Sequence, residues 1–159
     1  MLIKLAWQTL AQNSLSGGAA STLDSGTFES KKYLLGLIFA PEAKVYLRVN
    51  DTAAASYTYR RQEEGGSDST YVNMSEIKLD RNSTESSFIY FYIYNVSDQE
   101  KLFVLQHSSD NDSGASTAPK RQELVIKWDV TSEPITEINL FASAGDLAQY
   151  TQVAVLGTD

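Results

Sequence analysis

The chain has 159 residues, no cysteine, one histidine, and 20 acidic against 13 basic side chains, a formal net charge of −7. That length suits one domain, residues 1–159, with a real core, and the missing cysteines exclude disulfide staples, thiolate zinc sites and cysteine nucleophiles. A lone histidine, His107, rules out histidine-based metal clusters, and with no basic run the charge argues against nucleic acid or an anionic membrane as partner.

The apolar opening Met1-Leu-Ile-Lys-Leu-Ala-Trp lacks a long hydrophobic region and a cleavage site, so residues 2–10 are expected to be a first strand and not a signal peptide. A Ser/Gly break follows at residues 13–18. Residues 31–39 predict a strand with Tyr33, Leu35, Leu37 and Phe39 on one face, and Gly36 in its middle points to a bulge or a close backbone approach. Residues 45–50 predict a strand with Val45, Leu47 and Val49 inward and Tyr46, Arg48 and Asn50 outward. A turn at 51–55 and the run Tyr57-Thr-Tyr-Arg-Arg61 complete what reads as a hairpin. Residues 62–69 are a polar loop, and 71–79, with Val72, Met74, Ile77 and Leu79, form one further strand.

The strongest signal lies at residues 87–96, Ser-Phe-Ile-Tyr-Phe-Tyr-Ile-Tyr-Asn-Val, where aromatic and β-branched residues suit a pleated surface and disfavour a helix. Period two sets Ile89, Phe91 and Ile93 toward the core of a central strand. The opposite face, Phe88, Tyr90, Tyr92 and Tyr94, is left for a loop of this chain, another subunit or a ligand. A turn at 97–100 leads into a strand at 101–107, then a polar loop at 108–119, long enough to be functional or mobile. Residues 123–130 alternate cleanly, with Leu124, Ile126, Trp128 and Val130 inward. Strands at 135–142 and 151–156 close the chain around a turn through Gly145 and Asp146. Nine or ten short strands without a helical period predict an all-β fold, an antiparallel β-sandwich of jelly-roll type.

Chemistry-bearing patterns are sparse. His107 beside Ser108, Ser109 and Asp110 offers the residue types of a serine triad without its geometry, and no Gly-x-Ser-x-Gly elbow occurs, so a strand-end surface histidine is expected. Asp110-Asn-Asp-Ser-Gly114 begins like a calcium-binding EF-hand loop, but Arg121 stands where the closing glutamate belongs. Calcium in that loop, or near Glu63, Glu64 and Asp68, is left open without support; no cofactor or metal is assigned. Five Asn-x-Ser/Thr triplets, at Asn50, Asn73, Asn82, Asn95 and Asn111, arise readily by chance in so Ser/Thr-rich a chain, and without a secretory signal glycosylation is not expected. What remains is a set of tyrosines expected at the surface, Tyr46, Tyr57, Tyr59, Tyr71, Tyr90, Tyr92 and Tyr94, equally suited to stacking sugars and to subunit interfaces.

The run Val45-Tyr-Leu-Arg-Val-Asn-Asp-Thr-Ala-Ala-Ala-Ser-Tyr-Thr-Tyr-Arg60 resembles a strand–turn–strand signature of small structural proteins of tailed bacteriophages, often marine. Gly65-Gly-Ser-Asp-Ser, the stretch from Ala118 to Trp128 and the close from Ile135 to Asp159 are similar to the same group. Ala53 and Leu156 depart from it, where relatives tend to have glycine and an aromatic residue. The resemblance implies a non-enzymatic jelly-roll virion protein, made in the host cytoplasm. It would be a capsid decoration (cement) protein, acting as a small oligomer, a homotrimer by jelly-roll habit, on the major capsid protein. The alternative is a receptor- or glycan-binding module of a tail or fibre that meets host-surface glycans. It carries over no catalytic residue.

Overall fold

The computed structural model of the chain describes residues 6–79, 84–110 and 114–159. They form twelve strands and no helix: β1 (Gln8–Ser14), β2 (Thr22–Asp24), β3 (Tyr33–Ala40), β4 (Val45–Val49), β5 (Tyr57–Glu63), β6 (Ser69–Met74), β7 (Ile77–Leu79), β8 (Ser87–Tyr94), β9 (Lys101–Ser109), β10 (Lys120–Trp128), β11 (Ile138–Ala142) and β12 (Gln152–Thr158). All pairings between them are antiparallel, giving an eight-stranded sheet, β1-β12-β3-β8-β9-β10-β5-β6, and a four-stranded sheet, β2-β11-β4-β7.

β8 sits fourth in the large sheet, between β3 and β9, and its alternation holds: Ile89, Phe91 and Ile93 are buried. Their cross-strand neighbours continue the same inner rows. Gly36, Phe91, Leu105 and Leu124 form one such row, and Leu34, Ile93, Phe103 and Ile126 the next. Leu47, Ile77 and Leu140 of the small sheet join them in a single apolar cluster that binds the two sheets into a sandwich-like body. Gly36 has the close-approach role: a Cβ built on it would lie 1.9 Å from Cζ of Phe91, so the ring occupies the space a side chain would need.

The sequence expectation fails where the chain changes sheets. β4 and β5 are not a hairpin, because β4 pairs with β11 and β7 in the small sheet whereas β5 pairs with β10 and β6 in the large one. The turn between them, with positive φ at Asn50 and Asp51, carries the chain across the core. Residues 71–79 divide in the same way, into β6 on the edge of the large sheet and β7 on the edge of the small one. At this second crossing Glu76 accepts hydrogen bonds from Ser75 Oγ and Arg48 Nη2. Burial pushes its carboxyl up, but Ser75, Arg48 and Lys78 outweigh that and hold it below the usual range. The division of 71–79 adds one strand and the short β2, where a turn was expected, adds another, so twelve strands form and not nine or ten. The first strand also starts later and runs farther than expected, through Asn13 to Ser14; residues 2–5 of the predicted segment lie outside the described ones.

The first crossing is locked by Tyr57, expected at the surface but fully buried, whose hydroxyl accepts the Val49 amide at 2.9 Å. Tyr59 is buried beside it, accepts the Lys78 amide at 3.3 Å and stacks on Tyr71 at 4.7 Å. Both face inward because the small sheet covers this side of β5. Tyr57→Phe is expected to cost about 1 kcal/mol at neutral pH by orphaning that amide. Burial raises the Tyr57 hydroxyl well above the ordinary tyrosine value of 10.0. The unfolded chain therefore ionises first, and this contribution to stability, full below pH 10, declines as pH rises above it. Urea midpoints measured from pH 8 to 11 check both points: Tyr57→Phe should start lower and fall less steeply.

Candidate functional site: the outer face of the large sheet

The side chains of β12, β3, β8, β9 and β10 that point away from the core line up in register. Leu156, Leu35, Tyr92, Val104, Val125 and Arg60 form one continuous row across β12-β3-β8-β9-β10-β5. Tyr33, Tyr94 and Leu102 stand in the row beside it, and Phe39 pairs with Phe88 two rows away on the other side. An antiparallel sheet with one face in water normally shows polar residues there. Here Phe39, Phe88, Tyr92, Leu102, Val104 and Val125 are 42–57% exposed. Aromatic rings tile the patch, Trp7 edge-on to Tyr92 at 6.4 Å and Tyr33 against Tyr94 at 5.9 Å, and the Tyr90 hydroxyl donates to Gln106 Oε1 at 2.6 Å.

A hollow of about 700 Å³ opens on this face, with Trp7, Tyr33, Tyr92, Tyr94, Leu102 and Val104 among its lining and Lys32 and Asp159 as its charged members. Asp159 Oδ2 accepts from Lys31 Nζ at 3.0 Å and Oδ1 from the Lys32 amide at 3.2 Å. The hydrogen bond from Lys31 is the main cause that holds the Asp159 carboxyl below its usual range, and the same bond raises the Lys31 ammonium. Farther out, charges on the face occur in pairs: Arg60–Asp68 at 3.9 Å, Arg121–Glu123 at 3.7 Å and Lys127–Glu100 at 3.1 Å.

Of the expected surface tyrosines, Tyr90, Tyr92 and Tyr94 belong to this face. Tyr57, Tyr59 and Tyr71 lie on the inner side of β5 and β6, and Tyr46 stands on the small sheet, edge-on to Phe141. The residue type alone did not separate them. The alternation of each strand would have done so only with the sheet assignment known.

His107 is not at the surface. It is 1% exposed, on the inner side of β9 in phase with Phe103 and Leu105, a position that the alternation of 101–107 already implied. Its Nε2 lies 2.9 Å from Ser87 Oγ, and its Nδ1 3.1 Å from Gln122 Oε1, while Gln122 Nε2 donates to Glu63 at 2.6 Å. With the amide oxygen accepting, Nδ1 carries the proton and Nε2 accepts from the serine hydroxyl. This is the pairing of an activated nucleophile, and sequence reasoning missed it by looking at Ser108 and Ser109. Ser87 is nevertheless only 2% exposed, so no substrate atom reaches Oγ in this conformation; Ser87, His107 and Gln122 are buried, and Gln122 links them to the half-exposed Glu63.

The acids weighed for calcium are turned to different partners. Glu63 meets Gln122 and Arg61, Glu64 accepts the Arg121 amide at 2.6 Å, and Asp68 faces Arg60. Among the described residues no group of three or more His, Cys, Asp or Glu converges on a metal position. Asp110 accepts the Ser86 amide, and 111–113 of the EF-hand-like stretch lie outside the described residues. Two of the Asn-x-Ser/Thr asparagines are structural: Asn50 and Asn95 both bond the segment 134–137 through their side chains. Asn82 and Asn111 lie outside the described residues. No described helix is long and apolar enough to cross a membrane. Comparisons with protein-family models, with curated proteins and with solved structures find no match to this chain.

Proposed function

We propose that the chain is a non-enzymatic virion structural protein, a capsid decoration protein that assembles as a small oligomer through the outer face of its large sheet. The observation that carries this reading is the in-register patch of Phe39, Phe88, Tyr92, Leu102, Val104 and Val125, too apolar and too continuous for a sheet face meant for water. Strand order supports the jelly-roll part of it. With the pairs β5, β6 and β9, β10 set aside, the eight remaining strands, renumbered 1 to 8 in chain order, run 1-8-3-6 in the large sheet and 2-7-4-5 in the small one. That is the doubly wound Greek-key order of a jelly roll. The two extra pairs adjoin each other and widen only the large sheet, which enlarges its outer face.

Antibody labelling of intact phage particles, viewed by electron microscopy, tests the reading. Label spread over the head is the expected result, and a particle without label on the head overturns it. The hollow beside Tyr92 favours one alternative, a glycan-binding tail or fibre module, because aromatic walls with a carboxylate and an ammonium group suit a sugar ring. Label confined to the tail, with glycan-array binding lost in Tyr92→Ala, would establish that alternative.

A further inference from the structure

We infer that the partner of the outer face is a second copy of this chain, packed sheet against sheet about a two-fold axis. The inference rests on the assembly role proposed for that face and adds its occupant.

Size is the first argument. Eight strands about 4.8 Å apart and seven to nine residues long at about 3.3 Å per residue in the longer members span roughly 30 by 25 Å, or about 800 Å². A stable two-protein interface buries about 800 Å² on each partner. Composition is the second. The chain carries −7, and a face meant for a strongly charged partner would show excess charge of one sign. Instead the cations Arg60, Arg121 and Lys127 are each paired with an acid of the same chain, and the hollow adds one charge of each sign, Lys32 and Asp159, so no excess of one sign repels a second copy.

Symmetry is the third. A three-fold ring needs two different complementary patches on each subunit, whereas a two-fold pair needs one patch that accepts itself. Among the described residues, the large apolar side chains left exposed are concentrated on this one face and at its margins, Trp7 and Val72; Tyr150 stands apart. That distribution fits a pair and not the trimer suggested by jelly-roll habit.

The absence of cysteine makes the test direct. Sedimentation of the full chain is expected to show a dimer at about 100 μM. Val104→Lys, on an exposed position in the middle of the long row, should raise the dissociation constant about a hundredfold, whereas Val104→Thr should change it far less. Val125→Lys, on the neighbouring strand, repeats the test if Val104→Lys fails to fold. Under oxidation, cysteines introduced singly at Tyr92, Val104 and Val125 should give at least one disulfide-linked dimer, and one at Tyr150 should give none. A monomer at that concentration, a trimer, or a dimer indifferent to both lysine variants overturns the inference. A monomer that still labels phage heads would remove only the self-pairing and leave the decoration role standing; a dimer absent from particles would do the reverse.

Discussion

Gly36→Val is expected to destabilise the fold by about 3 kcal/mol, and to do so without changing any polar contact. Gly36 and Phe91 are direct cross-strand partners in the middle of β3 and β8, and the far end of the phenyl ring sits over the glycine. Cβ alone would fall 1.9–2.5 Å from three atoms of that ring, where no van der Waals contact exists. Phe91 has no exposed surface to retreat toward, and Leu105 occupies the next place in its row. Relief requires either an off-rotamer ring or a local separation of the two strands. Ordinarily a glycine inside a strand gains from a β-branched replacement, so a loss of this size isolates the steric effect. The urea midpoint, followed by circular dichroism, measures it. In the Phe91→Ala background the same replacement should cost much less, since the space it needs has been emptied. An unchanged midpoint for Gly36→Val would mean that the ring does not lie where the structure places it. The outcome bears on function as well, because β3 and β8 carry Leu35, Tyr90 and Tyr92 on their other side and a splayed pair would break the outer face.

Much of this arrangement was legible in the residues, and the reason is local. In β4, β8 and β10 one face is apolar enough for period two to assign the core side unaided, and Val45, Leu47, Val49, Ile89, Phe91, Ile93, Leu124, Ile126 and Trp128 are all buried as expected. Glycine amid Leu, Ile and Phe announced a bulge or a close approach at Gly36, and the structure has the close approach. What could not be read was which sheet each strand joins. Alternation says which way a side chain points relative to its own strand and nothing about the strand's neighbours. The turn at 51–55 has hairpin composition, yet it crosses between sheets, and the difference resides in long-range pairing with β10 and β11. The tyrosines of β5 were misplaced for the same reason: their core-facing side became visible only once β4 and β7 lay opposite. His107 shows a different failure. Its polarity argued for the surface, while its phase with Phe103 and Leu105 argued for the core, and the phase was right because Ser87 and Gln122 stood on flanking strands to receive its two nitrogens. The outer face was anticipated only in its β8 portion; Val125 read as an ordinary outward residue and Val104 was given no side until registration set them in one row with Tyr92.

Asn95→Ala should cost about 3 kcal/mol, and the aspartate variant should reveal why through its pH dependence. Asn95 is 3% exposed at the end of β8, and its amide spans two connections: Nδ2 donates to Ile135 O at 3.0 Å and Lys31 O at 3.1 Å, and Oδ1 accepts from the Ile135 amide at 2.7 Å. Alanine leaves both polar groups of Ile135, a fully buried residue, without this partner, and each orphaned group costs about 1–3 kcal/mol. Asn95→Asp preserves the acceptor for the Ile135 amide but turns a second oxygen toward two carbonyls. Ionised, it meets like partial charge; protonated, it can donate as the asparagine does. The folded protein should therefore raise that carboxyl above the ordinary aspartate value of about 3.9. A group raised on folding contributes its stability below the unfolded value, and the contribution is lost as pH rises through the folded one. Asn95→Asp should accordingly match Asn95→Ala or fall below it at pH 7 and recover toward the parent stability near pH 4, while Asn95→Ala stays low relative to the parent throughout. Parallel pH profiles for the two variants would refute the donor role given to the amide, and with it the assignment of Asn95 as the residue that ties the end of β8 to the segment leading into β11.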